Sequence, residues 1–319
     1  MKLNPNFFST AYLYARNKFI IPRIDYGVTV KKSRHWKIKD TFSDKLGGFN
    51  SIAKDEFNIL IKKEYFYKSI YTEVEFFFSK ANIQYLEYQN LVRNRSSTWA
   101  VVTLYYFLFF NLCCLLRIFN QGYVYFSSAE KDKIDKFNQA INPLVGPISI
   151  GNYFFDIVNL DDGFGSIEIK LKKVDTTHKV IWEKFLSVIE ILESKANGKE
   201  EAIYSIIKKC FDGSVFPRSY PSSLRNELNY FGESVFYDFE DSLTCDPLMD
   251  INDNFYTSFL KIKYDNNHNS KISSIVFLSS YIFNLNKNLL EDYRERSNFG
   301  KDFQKERDRN RLVNYNINS

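Results

Sequence analysis

Histidine and cysteine are both scarce in this chain. The three histidines, His35, His178 and His268, stand apart from one another and from every cysteine, which excludes a histidine-rich metal site. The four cysteines, Cys113, Cys114, Cys210 and Cys245, contain no CxxC spacing. Neither a zinc site nor a disulfide framework is expected, and the thiols read as buried and reduced in the cytosol. Asp161-Asp162-Gly163 lacks the spaced acidic ligands of a calcium loop and reads as a plain turn. There is no glycine-rich phosphate loop, serine nucleophile elbow or kinase signature. The expectation is a protein with no metal and no cofactor. Residues 1–8 carry no long apolar core of a signal peptide, and the expected location is cytoplasmic.

A strong excess of one charge is also lacking. Lys+Arg number 43 and Asp+Glu 38, for a net +5, which permits a nucleic-acid partner without requiring one. Aromatic residues, by contrast, make up 18% of the chain, enough to build large cores from Phe and Tyr. They crowd the longest uncharged run, the 18 residues from Trp99 to Leu116, which Arg93, Arg95 and Arg117 flank. Eighteen residues is the shortest span that reads as a membrane helix. Thr103, Asn111, the aromatics through the middle and the lack of a second such run favour a buried central helix instead. No membrane association is expected.

Along the chain the patterns are mainly helical. Residues 18–40 read as extended, a small N-terminal β element holding Pro22 and Gly27, and Gly47-Gly48 as a loop. Residues 51–93 place Phe57, Ile59, Leu60, Tyr67, Ile70, Val74, Phe77 and Phe78 near a 3.6 period, predicting one long helix or two. Residues 97–119 form the aromatic helix. Ile148–Leu160 and Ser166–Lys173 predict a β-hairpin around Asp162-Gly163. Amphipathic helices follow at 176–194 and 200–211, and a helix-prone stretch at 251–293 is interrupted by a polar loop at 265–269. The expected fold is a mainly α helical bundle with the β-hairpin near 148–173 inserted in it. One domain covers 1–290, followed by a charged tail at 291–319.

The segment Pro221–Gly232 carries the most chemistry. Ser223 as N-cap would put Arg225 and Asn226 in the first turn, where unpaired backbone N–H groups attract anions. Asn226 and Tyr230 are i,i+4 neighbours, as are Arg225 and Asn229. Leu224, Leu228 and Phe231 are left for a core. A polar strip with an arginine at an anion-friendly helix end suits a phosphate.

Arg225-Asn226-Glu227-Leu228-Asn229-Tyr230 resembles the signature of HEPN-domain proteins (higher eukaryotes and prokaryotes nucleotide-binding). That signature is Arg, a polar residue often Asn, three variable residues, then His; here Tyr230 takes the His position. Ser96–Phe110, running on to Arg117, resembles the aromatic helix that precedes the motif in HEPN-like bacterial proteins. The resemblance implies a HEPN-like bundle in a prokaryotic defence or toxin–antitoxin system. It also implies RNA as substrate and a homodimer, or a partner protein of the same system. HEPN ribonucleases cleave without metal, the ribose 2′-OH attacking the adjacent phosphate. By that resemblance Arg225 would clamp the phosphate, Asn226 orient it and Tyr230 stand in for His, with Asn229 binding substrate. A tyrosine hydroxyl ordinarily titrates at ~10, three units above neutrality where imidazole titrates close by, roughly 4 kcal/mol against it as a base. The expectation is a metal-independent ribonuclease or an RNA-binding effector. The competing class is a non-catalytic interaction subunit that keeps the fold for assembly.

A second constellation is Asp162…Glu168-Ile169-Lys170. It fits the carboxylate hairpin of PD-(D/E)xK nucleases, where two carboxylates hold Mg²⁺ and a lysine steadies developing charge. Alternation on an ordinary strand explains the same residues: Ile167, Ile169 and Leu171 point inward, Glu168 and Lys170 outward.

Overall fold

The computed structural model describes residues 9–27, 36–159, 165–213, 215–216, 220–230, 268–299 and 305. It is mainly helical, with one five-stranded antiparallel sheet. Helix α1 (Thr10–Ala15) starts at Ser9, whose side chain accepts the Tyr12 N–H. It widens over Arg16–Ile20 and tightens to a 3₁₀ turn over Ile21–Arg23, where Pro22 has no N–H to continue the ladder. Helix α2 (Ile38–Asp44) follows. The N-terminal β element expected at 18–40 is therefore helical at both ends, and 28–35 lies outside the described residues.

The strands come later. β1 (Leu46–Ala53) and β2 (Glu56–Lys62) form a hairpin, and helix α3 (Lys63–Arg93) begins only after it. Gly47 and Gly48 lie within β1. Asp55, at φ 59°, makes the Lys54-Asp55 turn, a left-handed position that Asp tolerates well. Helix α4 (Ser97–Ile118) leads to β3 (Gly122–Phe126) and helix α5 (Ser128–Ile141). β4 (Gly151–Asn159) and β5 (Ser166–Lys173) follow where the sequence predicts a hairpin. They are not an insertion, however. The sheet order is β1-β2-β5-β4-β3, so these two strands lie inside it and β5 pairs with β2 along the whole length of β2. Helices α6 (Thr177–Glu193), α7 (Lys199–Phe211), α8 (Tyr220–Tyr230) and α9 (His268–Arg296) complete the order. Residues 251–267 and the turn at 161–163 lie outside the described residues.

Two compact units share these elements: Asn17–Phe76, Leu116–Val180 and Glu291–Ser319 in one, Met1–Arg16, Phe77–Leu115 and Ile181–Leu290 in the other. In the sheet unit, strand alternation sets the core. Phe57, Ile59 and Ile61 of β2, Ile167, Ile169 and Leu171 of β5, and Tyr153 and Phe155 of β4 face one side. They pack there with Ile38 and Phe42 of α2, Phe66 of α3 and Ile134 of α5. Among the described residues of this unit, three arginines are buried. Arg117 donates to Glu73 (2.7 Å), to the Gln121 carbonyl and to the Tyr123 carbonyl. Its guanidinium fills the space where a Cβ on Gly122 would stand. Arg294 makes a bidentate pair with Glu75. Arg23 donates to the Ile118 carbonyl and the Asn120 side chain beneath the Tyr67 ring, and burial lowers its pKa to about 10.

In the helical unit, α6 turns Ile181, Phe185, Val188, Ile189 and Leu192 inward as its 3.6-period pattern requires. α9 is buried along most of its length in this unit, including Ser279, Ser280 and Asn286. Asn286 donates to the Asn111 carbonyl of α4 at 2.8 Å, and Asn111 donates to the Phe107 carbonyl. α4 is long and apolar enough to cross a membrane, yet 78% of its most apolar window is buried. Arg117, at its end, is 2% exposed and ion-paired, unlike an anchor in a headgroup layer.

Candidate functional site

α8 begins at Tyr220, four residues earlier than a Ser223 cap requires. Arg225 and Asn226 thus lie in the second turn, and the unpaired N–H groups of the first turn belong to residues before them. The helix starts early because its first residues are tied down. Tyr220 is buried against the rings of Phe211 and Phe216, and its hydroxyl meets Ser274 of α9. Pro221 sits in the first turn, where its missing N–H costs nothing. Ser222 joins three helices. It accepts from Trp182 Nε1 of α6 at 3.1 Å and shares a hydrogen bond of 3.1 Å with the Tyr105 hydroxyl of α4.

Arg225 stacks its guanidinium over Tyr105 at 5.2 Å and Tyr106 at 5.7 Å from the ring centroids. The residue is half-buried, and its Nε is buried with no hydrogen-bond partner. Tyr105 is 1% exposed. Burial pushes its phenol above the ordinary value, against the pull of Ser222 and of the Arg225 guanidinium. The guanidinium carbon lies within cation–π range of both rings, whose planes are 72° apart, and the residue keeps partial exposure.

The other predicted residues separate. Leu224 is buried as expected, Leu228 and Asn229 are half-buried, and Asn226 is exposed. Tyr230 is 75% exposed at the end of the helix. Five residues at about 100° each put Arg225 and Tyr230 about 140° apart around the axis. Arg225 shares its strip with Asn229, and Tyr230 shares one with Asn226; Phe231 and Gly232 lie outside the described residues.

On the sheet, Asp162 also lies outside the described residues. Glu168 accepts from Asn58 Nδ2 at 2.7 Å, and Lys170 pairs with Glu56 at 2.5 Å. Both face away from Ile167, Ile169 and Leu171, as plain alternation has it. Among the described residues no three His, Cys, Asp or Glu gather as a metal set. Cys113, Cys114 and Cys210 are buried thiols.

The residues that sequence reasoning missed are Tyr105, Tyr106, Ser222 and Trp182. Tyr105-Tyr106 sits in an apolar run whose pattern reports only burial, more than a hundred positions before Arg225. The local signal was Ser222 beside Pro221 at the helix start. Comparison with known protein families, with characterised proteins and with solved structures finds no match.

Proposed function

We propose that this protein binds RNA through Arg225 and does not cut it. The observation that carries the reading is the Arg225 guanidinium, placed within cation–π range of Tyr105 and Tyr106 on a half-buried residue. A planar guanidinium suits bidentate phosphate recognition, which a lysine would not reproduce. Cleavage would need a proton-transfer group on the same phosphate, and Tyr230 diverges from Arg225 around the helix. The resemblance of residues 225–230 to the HEPN signature links the reading to prokaryotic defence or toxin–antitoxin systems and to a HEPN-like bundle. The same resemblance supports a homodimer or a partner protein of that system.

The second reading is a non-catalytic scaffold subunit. It is favoured by the fact that both Arg225 ring contacts lie within its own chain. Fluorescence anisotropy with labelled single-stranded RNA separates the two. Arg225→Ala should weaken binding at least tenfold with the fold intact by circular dichroism, and Arg225→Lys should restore only part of it. The RNA should remain uncut on a denaturing gel. Equal affinity for Arg225→Ala and the parent would leave the scaffold reading.

A further inference from the structure

Most of α4 is buried, but one stripe is not. Trp99 is 57% exposed, and Thr103, Tyr106 and Phe110 are half-buried, while every other residue from 97 to 118 is buried. The spacing is four, three and four residues, one narrow line down the helix. Three of its four members are aromatic. Each has cations beside it in space or sequence. Arg225 lies over Tyr106, and Lys80 of α3 lies over Phe110 at 5.1 Å. Arg93 and Arg95, both exposed, end α3 and form the turn just before Trp99. Tyr106 and Phe110 are themselves stacked, with centroids 6.3 Å apart and planes 30° from parallel.

We infer that this stripe is a track for single-stranded RNA, extending the Arg225 contact and resting on that reading. Bases would stack on Trp99, Tyr106 and Phe110 along about 16 Å of helix, and the backbone would follow the arginines. Stacking rings interleaved with cations are how single strands are held without sequence preference. The line also has the spacing of a helix–helix seam, so self-association is its rival. Charge decides between them. A seam between two copies would bring both sets of ring-bound cations together, and α4 carries no Asp or Glu to neutralise them. A phosphate backbone supplies that negative charge.

The test uses the full chain with labelled ten-nucleotide U and A oligomers and a 20-base-pair RNA duplex. Trp99→Ala and Phe110→Leu should each weaken single-strand binding about tenfold, and the duplex should bind more weakly than either oligomer. If Arg225→Ala loses binding while Trp99→Ala and Phe110→Leu bind like the parent, the track is wrong and the phosphate clamp stands. If the parent binds no RNA, both fail. A dimer in sedimentation that Trp99→Ala converts to monomer, with RNA affinity unchanged, would make the stripe a seam and overturn the inference.

Discussion

Arg294→Met should be among the most destabilising single changes in the sheet unit. The Glu75 side chain is fully buried and that of Arg294 is 6% exposed. Three hydrogen bonds join them, Nε to Oε1 at 3.0 Å and Nη2 to both oxygens at 2.9 and 2.7 Å. Removing one partner of such a pair leaves a buried charge and costs roughly 3–5 kcal/mol. At about 2–4 °C per kcal/mol for a chain of this size, the melting temperature should fall by roughly 6–20 °C. Glu75→Leu should cost as much, since it strands the guanidinium. The double variant Glu75→Leu/Arg294→Met replaces the pair by apolar volume and should recover most of the loss. The pH dependence is a second signature. Burial pushes the Glu75 carboxyl above its ordinary 4.5 even against Arg294. Without the guanidinium the shift grows. A carboxyl raised on folding contributes stability below pH 4.5 that is lost as pH rises through the folded value. The penalty of Arg294→Met should therefore grow from pH 5 to pH 8 in urea unfolding followed by circular dichroism. Additive single penalties in the double variant would refute the reasoning.

Burial works to raise the Glu130 carboxyl, but Lys39 and the Ser127 hydroxyl and N–H outweigh it and hold it at about 2. A depressed carboxyl stabilises above its unfolded value near 4.5 and loses that as pH falls toward 2; urea midpoints between pH 6 and pH 2.5 should show Glu130→Gln lacking about 2 kcal/mol of acid-labile stability. Asp55 accepts from the Ser149 N–H and hydroxyl and the Tyr153 hydroxyl. Asp55→Ala should cost about 2–4 kcal/mol in chemical unfolding, while Asp55→Asn, which keeps an acceptor and tolerates positive φ, should cost less than half of that. Tyr230→His should not create RNA cleavage, because position 230 points away from Arg225; cleavage that appears in the Tyr230→His variant and vanishes on adding Arg225→Ala would show that the two do meet.

Some of this molecule could be read from its residues alone. Helices at 97–118, 177–193 and 199–211 follow their apolar spacing closely. The first hairpin was hidden because Glu56–Lys62 is apolar at 57, 59, 60 and 61, a run that fits a strand and a helix equally well over so short a stretch. Only pairing with β5 turns Phe57, Ile59 and Ile61 to one side. Residues 18–23 show the converse. Their β-branched residues and Pro22 read as extended, yet Phe19 and Ile20 are buried on a helical segment that tertiary packing supports. For the candidate site, the sequence reported Arg225 but not what holds it. The start of α8 is set by Tyr220, Ser222 and their contacts with α4, α6 and α9, none of which is local.

The aromatic run poses the same question in its sharpest form. Composition cannot separate a membrane span, a core helix and a binding face, since all three are rich in Phe, Tyr and Trp. Position separates them. Tyr105, Phe107 and Phe109 are buried, whereas Trp99, Tyr106 and Phe110 fall on the one partly open line. A membrane span would expose aromatics around its circumference and send its flanking arginines to the interface, yet Arg117 is buried against Glu73. Packing alone does not require a 57%-exposed tryptophan just after two exposed arginines. The run is thus a core helix on most of its surface, and the remaining line, with Arg225 over one of its rings, is the face that the proposed single-stranded RNA track would use.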